Sequence, residues 1–177
     1  DSGNARSGPV CGDPDPPPPP DSPVERVITL GNGTNINLRT EYNKLYSGFG
    51  NATTEDKLPV TFILPTGRRV GSVSTNEAAV TTGAWDTTLV DLKIIIRGRI
   101  QGRGGGGGAG SYPAINGAAG VNGGPAFQAT VDIDVDVQGG EIWGGGGGGG
   151  GAAVRGGFSF NGRGGGGGGG AGTVYGV

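Results

Sequence analysis

Histidine and methionine are both missing from this 177-residue chain, and cysteine occurs once, at Cys11. Without an imidazole there is no histidine base and no histidine metal ligand, and a lone thiol cannot build a cysteine zinc site, so metal catalysis has almost nothing to stand on. One cysteine also excludes an intrachain disulfide. Equivalent cysteines of a symmetric oligomer could cross-link, although a free thiol in a linker is the plainer reading. Aromatic residues are 6% and apolar residues 33% of the chain. That is too little for a large globular core, so stability is expected to come from backbone pairing and from association of chains. No apolar run approaches the ~18 residues of a spanning helix. The net charge is −2, with no run of Lys or Arg, which leaves no electrostatic footprint for a nucleic-acid backbone.

What the chain has is glycine, 44 residues of it, against a usual ~7%. Three runs dominate: Gly104 to Gly108 with Gly110, Gly144 to Gly151, and Gly164 to Gly170. Each follows a similar phrase, a large apolar residue and then glycine: Ile100-Gln101-Gly102-Arg103, Ile142-Trp143-Gly144, and Phe160-Asn161-Gly162-Arg163. Glycine is costly to order, and such runs ordinarily read as flexible linkers. The repeat argues for a packed alternative, the left-handed extended helix of three residues per turn. It makes no internal hydrogen bonds, so its N–H and C=O groups must pair with neighbouring strands. Gly117, Gly120 and Gly123 recur at the period that sets glycine along one edge of such a helix. Gly147, in the middle of the longest run, is expected inside the bundle, where a valine would displace a neighbour. Trp143 and Phe160, inside the repeat phrase, are expected in the core.

The composition divides the chain into a proline-rich linker (1–23), a β-rich part (24–98) and a glycine-rich part (99–177). The linker, with Pro16 to Pro20, is expected to be extended and semi-rigid and to continue from a longer polypeptide. In the β-rich part Val24 to Leu30, Thr34 to Leu38, Leu58 to Leu64, Arg69 to Ser74 and the apolar Leu92 to Ile96 read as strands separated by short turns. One two-turn helix is expected over Thr40 to Gly50, capped by Thr40, with Tyr42 and Leu45 or Tyr46 on one face. Phe127 to Val137 alternates apolar and polar residues throughout and predicts one half-buried strand. Its Asp132, Asp134 and Asp136 fall on one face, either as a row for Ca²⁺ or, more plainly, as a solvated face that repels edge pairing.

Catalytic motifs are thin. Gly98 to Gly104 imitates a phosphate loop but lacks the Lys-Ser/Thr ending and a following helix. Asp86, Asp91 and Glu141 could supply a carboxylate pair for glycoside cleavage, yet nothing in the sequence places two together. The chain therefore reads as a non-enzyme without a cofactor.

The order of phrases is more specific than any glycine run. Asn35-Ile36-Asn37-Leu38-Arg39, Val60 to Gly67, Gly71 to Asn76, Ile100 to Gly105, Gly123-Gly124-Pro125-Ala126 and Ile142-Trp143 leading into glycine together resemble the C-terminal tip of phage central tail fibres or host-specificity proteins, the lambda protein J type. More distantly, the glycine-rich part is similar to the tail-fibre adhesins of T-even phages. The resemblance implies a mainly β chain ending in a polyglycine type II helix bundle and packed as a homotrimer. It further implies a place at the distal end of the virion's tail fibre beside upstream tail-tip proteins. The expected partner is a bacterial surface receptor: an outer-membrane protein, lipopolysaccharide or a pilus. Glycine has no side chain with which to recognise anything, so recognition falls to the interruptions: Ser111, Tyr112, Pro113 and Ala114; Val154, Arg155 and Phe158; Thr173, Val174 and Tyr175. Tyr112, Arg155 and Tyr175 combine apolar area with a polar tip, as interface residues do. Equally, Val154, Phe158 and Tyr175 could simply cover the edge of the bundle. The competing class is an ice-binding or extracellular structural protein on the same kind of bundle.

Overall fold

Leu58–Leu64 and Val90–Ile96 carry an apolar side chain at nearly every second position, the pattern of strands with one face turned to a core. In the computed structural model, which describes residues 22–109 and 117–151, these two strands are the middle of the molecule. In chain order the elements are β1 (Arg26–Thr29), β2 (Gly33–Thr34), β3 (Ile36–Asn37), α1 (Leu38–Leu45), β4 (Leu58–Leu64), β5 (Arg69–Gly71) and β6 (Val80–Thr81). There follow β7 (Val90–Ile96), β8 (Arg99–Gln101), β9 (Phe127–Gln128), β10 (Asp134–Val137) and β11 (Glu141–Trp143). The fold is mainly β with one short helix.

Each strand from β1 to β8 pairs with the strand three later, and every pairing is parallel: β1-β4-β7-β10 in sheet A, β2-β5-β8-β11 in sheet B, β3-β6-β9 in sheet C. The chain thus winds as a three-sided coil, each turn laying one strand on each sheet, so that residues of successive turns stack in columns. Ile28, Phe62, Ile94 and Val135 form one column in sheet A, and Leu64, Ile96 and Val137 another. The inner members are sealed: Phe62, Leu64, Ile94 and Ile96 are each 0% exposed. Among the described residues no strand stacks on the last turn, and Val135 and Val137 are 39% and 48% exposed.

Phe127 to Val137 is two strands rather than one. β9 belongs to sheet C and β10 to sheet A, because the chain must round a corner between them. Val131 and Ile133, in that corner, still pack on the core. The helix has the two turns expected but begins at Leu38, and its cap is Asn37, whose side chain accepts the Thr40 N–H at 3.1 Å. Leu38 and Tyr42 make its buried face, the C-cap Tyr46 packs its ring 5.1 Å from that of Tyr42, and Leu45 is exposed. No helix among the described residues is long and apolar enough to cross a membrane.

Candidate functional site

Two glycine excursions leave the coil at the end of sheet B. The first runs out from Gly102 to Ala109 after β8 and returns over 117–126 into β9, and the second leaves from Gly144 after β11. The three described stretches lie side by side and bond at every third residue. The outgoing stretch donates from Gly102, Gly105 and Gly108 to the carbonyls of Trp143, Gly146 and Gly149. The returning stretch donates from Ala118, Val121 and Gly124 to those of Ala109, Gly106 and Arg103. The second outgoing stretch completes the ring, donating from Gly145, Gly148 and Gly151 to those of Gly124, Val121 and Ala118. All these bonds are 2.7 to 2.9 Å long.

A ring of three segments with period three assigns each glycine a fixed role. A Cβ on Gly105, Gly108, Gly120, Gly123, Gly145 or Gly148 would overlap a neighbouring carbonyl oxygen, so only glycine allows the backbones to approach. Gly106 and Gly144 have nothing within 4 Å of such an atom. Gly147, expected inside, is one of the open positions: its Cβ would meet nothing closer than Val121 O at 3.9 Å. Gly148, one residue on, holds the interior place.

The directions of the stretches decide where the connections fall. Ala109, Ala118 and Gly151 are joined by hydrogen bonds at the end of the glycine segments farthest along the chain from β8 and β11. Residues 110–116 and 152 onward continue from that end. Ser111, Tyr112, Pro113, Ala114, Val154, Arg155, Phe158, Thr173, Val174 and Tyr175 all lie outside the described residues, as do Cys11, Phe160 and the run from Gly164 to Gly170.

Trp143 is on the outer face of sheet B rather than in the core, 38% exposed, with the Arg99 guanidinium 3.9 Å from its ring centre. Among the described residues β11 is the last strand of its sheet, and no further rung covers the ring. The aspartate row of β10 faces Lys93, whose Nζ lies 3.4 Å from Asp134 and 3.6 Å from Asp136. Among the described residues no group of three potential metal ligands comes together. Each candidate carboxylate has a partner of its own: Asp86 accepts from Thr88, Asp91 lies 3.4 Å from Lys57, and Glu141 lies 2.6 Å from Arg99.

Sequence reasoning missed a cluster beside α1. Tyr42, Tyr46, Phe49, Phe62 and Trp85 pack ring on ring, with Arg26 over Tyr42 and Tyr46, and with Arg39 over Phe49 at 4.6 Å and Trp85 at 4.9 Å. Arg26 donates to the Tyr42 hydroxyl and to Gly48 O. Burial pushes the Tyr42 hydroxyl above its ordinary pKa against the opposing pull of Arg26. The cluster fastens the helix to the coil, and the only signal for it was aromatic residues scattered between Tyr42 and Trp85.

No curated protein and no solved structure matches the chain. The model of the phage tail fibre adhesin Gp38 family matches residues 25–177, from the edge of the first strand through the last glycine run. With that span covering the coil and the glycine excursions alike, the chain belongs to the phage tail fibre adhesin Gp38 family, proteins of the virion's tail fibre that attach to a host-surface receptor.

Proposed function

We propose that this chain is the receptor-binding tip at the distal end of a phage central tail fibre, working as a homotrimer. Residues 1–23 link it to the upstream fibre, the β-rich part is its base, and the glycine-rich part presents the receptor contacts. The glycine segments act as polyglycine type II helices and serve as scaffold. The receptor contacts are the interruptions Ser111 to Ala114, Val154 to Phe158, and Thr173 to Tyr175. The receptor is an outer-membrane protein, lipopolysaccharide or a pilus.

The single observation behind this reading is the meeting of Ala109, Ala118 and Gly151 at one end of the segments, from which residues 110–116 and 152 onward continue. Hydrogen bonds at every third residue hold that end in place without side chains, which leaves sequence free to vary at the connections.

The test is adsorption to host cells. Tyr112→Ala, Arg155→Ala and Tyr175→Ala should each weaken binding by about 2 kcal/mol, roughly thirtyfold, with melting and oligomeric mass unchanged. Three variants that adsorb like the parent would remove the interruptions from the receptor site. A monomeric mass in solution would remove the homotrimer.

A further inference from the structure

The corner between sheets A and B is basic. Gly67 and Gly139 turn it at φ 78° and 75°. In the coil between them sits Gly98, where a Cβ would lie 2.6 Å from Pro65 O and overlap Arg68 O. The turns therefore stack closely, held by Arg99 N–H to Arg68 O at 2.9 Å and Glu141 N–H to Gly98 O at 2.9 Å. A cleft of about 160 Å³ follows the corner, walled by Arg68, Arg69, Arg97 and Arg99 with one carboxylate, Glu141.

Strand register sharpens the imbalance. Arg69 stands directly opposite Arg99 in the parallel ladder, and Arg99 opposite Glu141. Like charges at paired positions weaken a sheet. Glu141 neutralises Arg99 at 2.6 Å. Arg97 forks onto a neutral acceptor, Gln138 Oε1, at 3.2 and 3.0 Å. Among the described residues no carboxylate lies within ion-pair distance of Arg68, Arg69 or Arg97. Three guanidinium groups thus share one cleft without a counter-charge, on a chain whose net charge is −2.

We propose that this cleft binds the phosphate group of a phosphorylated glycan. The planar fork of a guanidinium matches phosphate oxygens two at a time, and a phosphate monoester carries up to two negative charges to set against the three arginines. At ~30 Å³ per water the volume has room for about five waters, enough for the phosphate group while the sugar bearing it stays outside. Only the choice of a cell-envelope glycan as the carrier rests on the attachment reading.

Calorimetric titration of the full chain with glucose 6-phosphate, glucose and glucuronic acid tests the site. Glucose 6-phosphate should bind saturably and more weakly as salt rises, glucuronic acid less tightly, and glucose not at all. Arg68→Ala with Arg69→Ala should weaken glucose 6-phosphate at least tenfold, and the paired Lys variants should restore only part of it. Arg103→Ala is the control, since its guanidinium donates to Val73 O outside the cleft. The proposal is overturned by no saturable binding, by glucose or glucuronic acid binding as tightly, or by an Arg68/Arg69 variant that binds like the parent. Host adsorption is read separately. If the Arg68/Arg69 variant loses glucose 6-phosphate but adsorbs normally, the envelope glycan is overturned as the carrier while attachment stands.

Discussion

Two neighbouring glycines, Gly147 and Gly148, should respond oppositely to the same methyl group. At Gly148 a Cβ would overlap Gly106 O and lie 2.8 Å from Gly107 N. Both are backbone atoms of the adjacent segment and cannot swing aside as a side chain could. To admit it, the segments must separate near the bonds Gly148 N–H to Val121 O and Gly105 N–H to Gly146 O, each 2.8 Å. Overpacking costs about 1–3 kcal/mol, and each backbone group left unpaired away from water adds about 1–3 kcal/mol. A loss near 3 kcal/mol is a conservative sum for Gly148→Ala. At Gly147 the nearest atom would be 3.9 Å away, and this glycine is not among those with positive φ. Alanine fits there without strain and restricts the unfolded chain, so Gly147→Ala should be neutral or stabilise by about 0.4–1 kcal/mol.

In a melting experiment the loss at Gly148 corresponds to roughly 6–12 °C for a chain of this size. Should the glycine segments open without unfolding the coil, amide exchange reports it instead: Val121, Gly124 and Gly145 should exchange faster in Gly148→Ala and unchanged in Gly147→Ala. Equal melting and equal exchange in the two variants would refute the period-three packing.

The remaining predictions follow from the coil. Ile94→Ala, in a sealed column, should cost about 2–5 kcal/mol by denaturant titration, whereas Val135→Ala, one rung further along the column and 39% exposed, should cost less than about 1 kcal/mol. Tyr42 holds its proton more tightly when folded, because burial raises its pKa. That contribution is complete below the ordinary value near 10 and is lost as pH rises from there through the raised value of the folded state. The parent's melting temperature should therefore fall above about pH 10, and Tyr42→Phe should flatten the fall while costing about 1–2 kcal/mol at neutral pH through its lost hydroxyl bonds. Asp134→Asn should change stability by less than about 0.5 kcal/mol, since its pair with Lys93 is exposed and Asp136 remains. EDTA should leave melting unchanged, and a calcium-dependent rise of several degrees would restore the aspartate row as an ion site.

Individual elements were legible where a side-chain period exists. β4 was marked by a short apolar segment ahead of the Pro65-Thr66-Gly67 turn, β7 by the apolar run Leu92 to Ile96, and α1 by a polar start, its tyrosines on one face and the glycine stops that follow. The parallel coil was not legible, because its partners are distant in the chain: Phe62 stacks on Ile94 and Ile94 on Val135. The turns of the coil are also unequal, since α1 interrupts one and a glycine excursion another. The error at Gly147 has a physical cause. A run of identical glycines carries no phase, so nothing within Gly144 to Gly151 tells which third residue faces inward. Only the returning stretch writes its phase in sequence, where Gly117, Gly120 and Gly123 alternate with Ala118, Ala119, Val121 and Asn122. Pairing that stretch against its neighbours fixes the interior positions of the other two.

The glycine segments are best understood as a continuation of sheet B by other means. β8 and β11 pair in register through Gln101 and Trp143, and the next bond along the same pair is Gly102 N–H to Trp143 O. From there the bonding advances by three residues instead of two, through Gly105 to Gly146 and Gly108 to Gly149. A strand of period two shows its backbone groups to two neighbours in one plane, whereas a helix of period three can offer them in three directions. That change of period admits the returning stretch as a third partner, closing a ring where a sheet would leave an edge. Because register is inherited from the coil, the segments project in a direction fixed by the columns beneath them. The coil sets the position and glycine extends it, so Ala109 and Gly151 are held at a defined place by segments almost free of side chains.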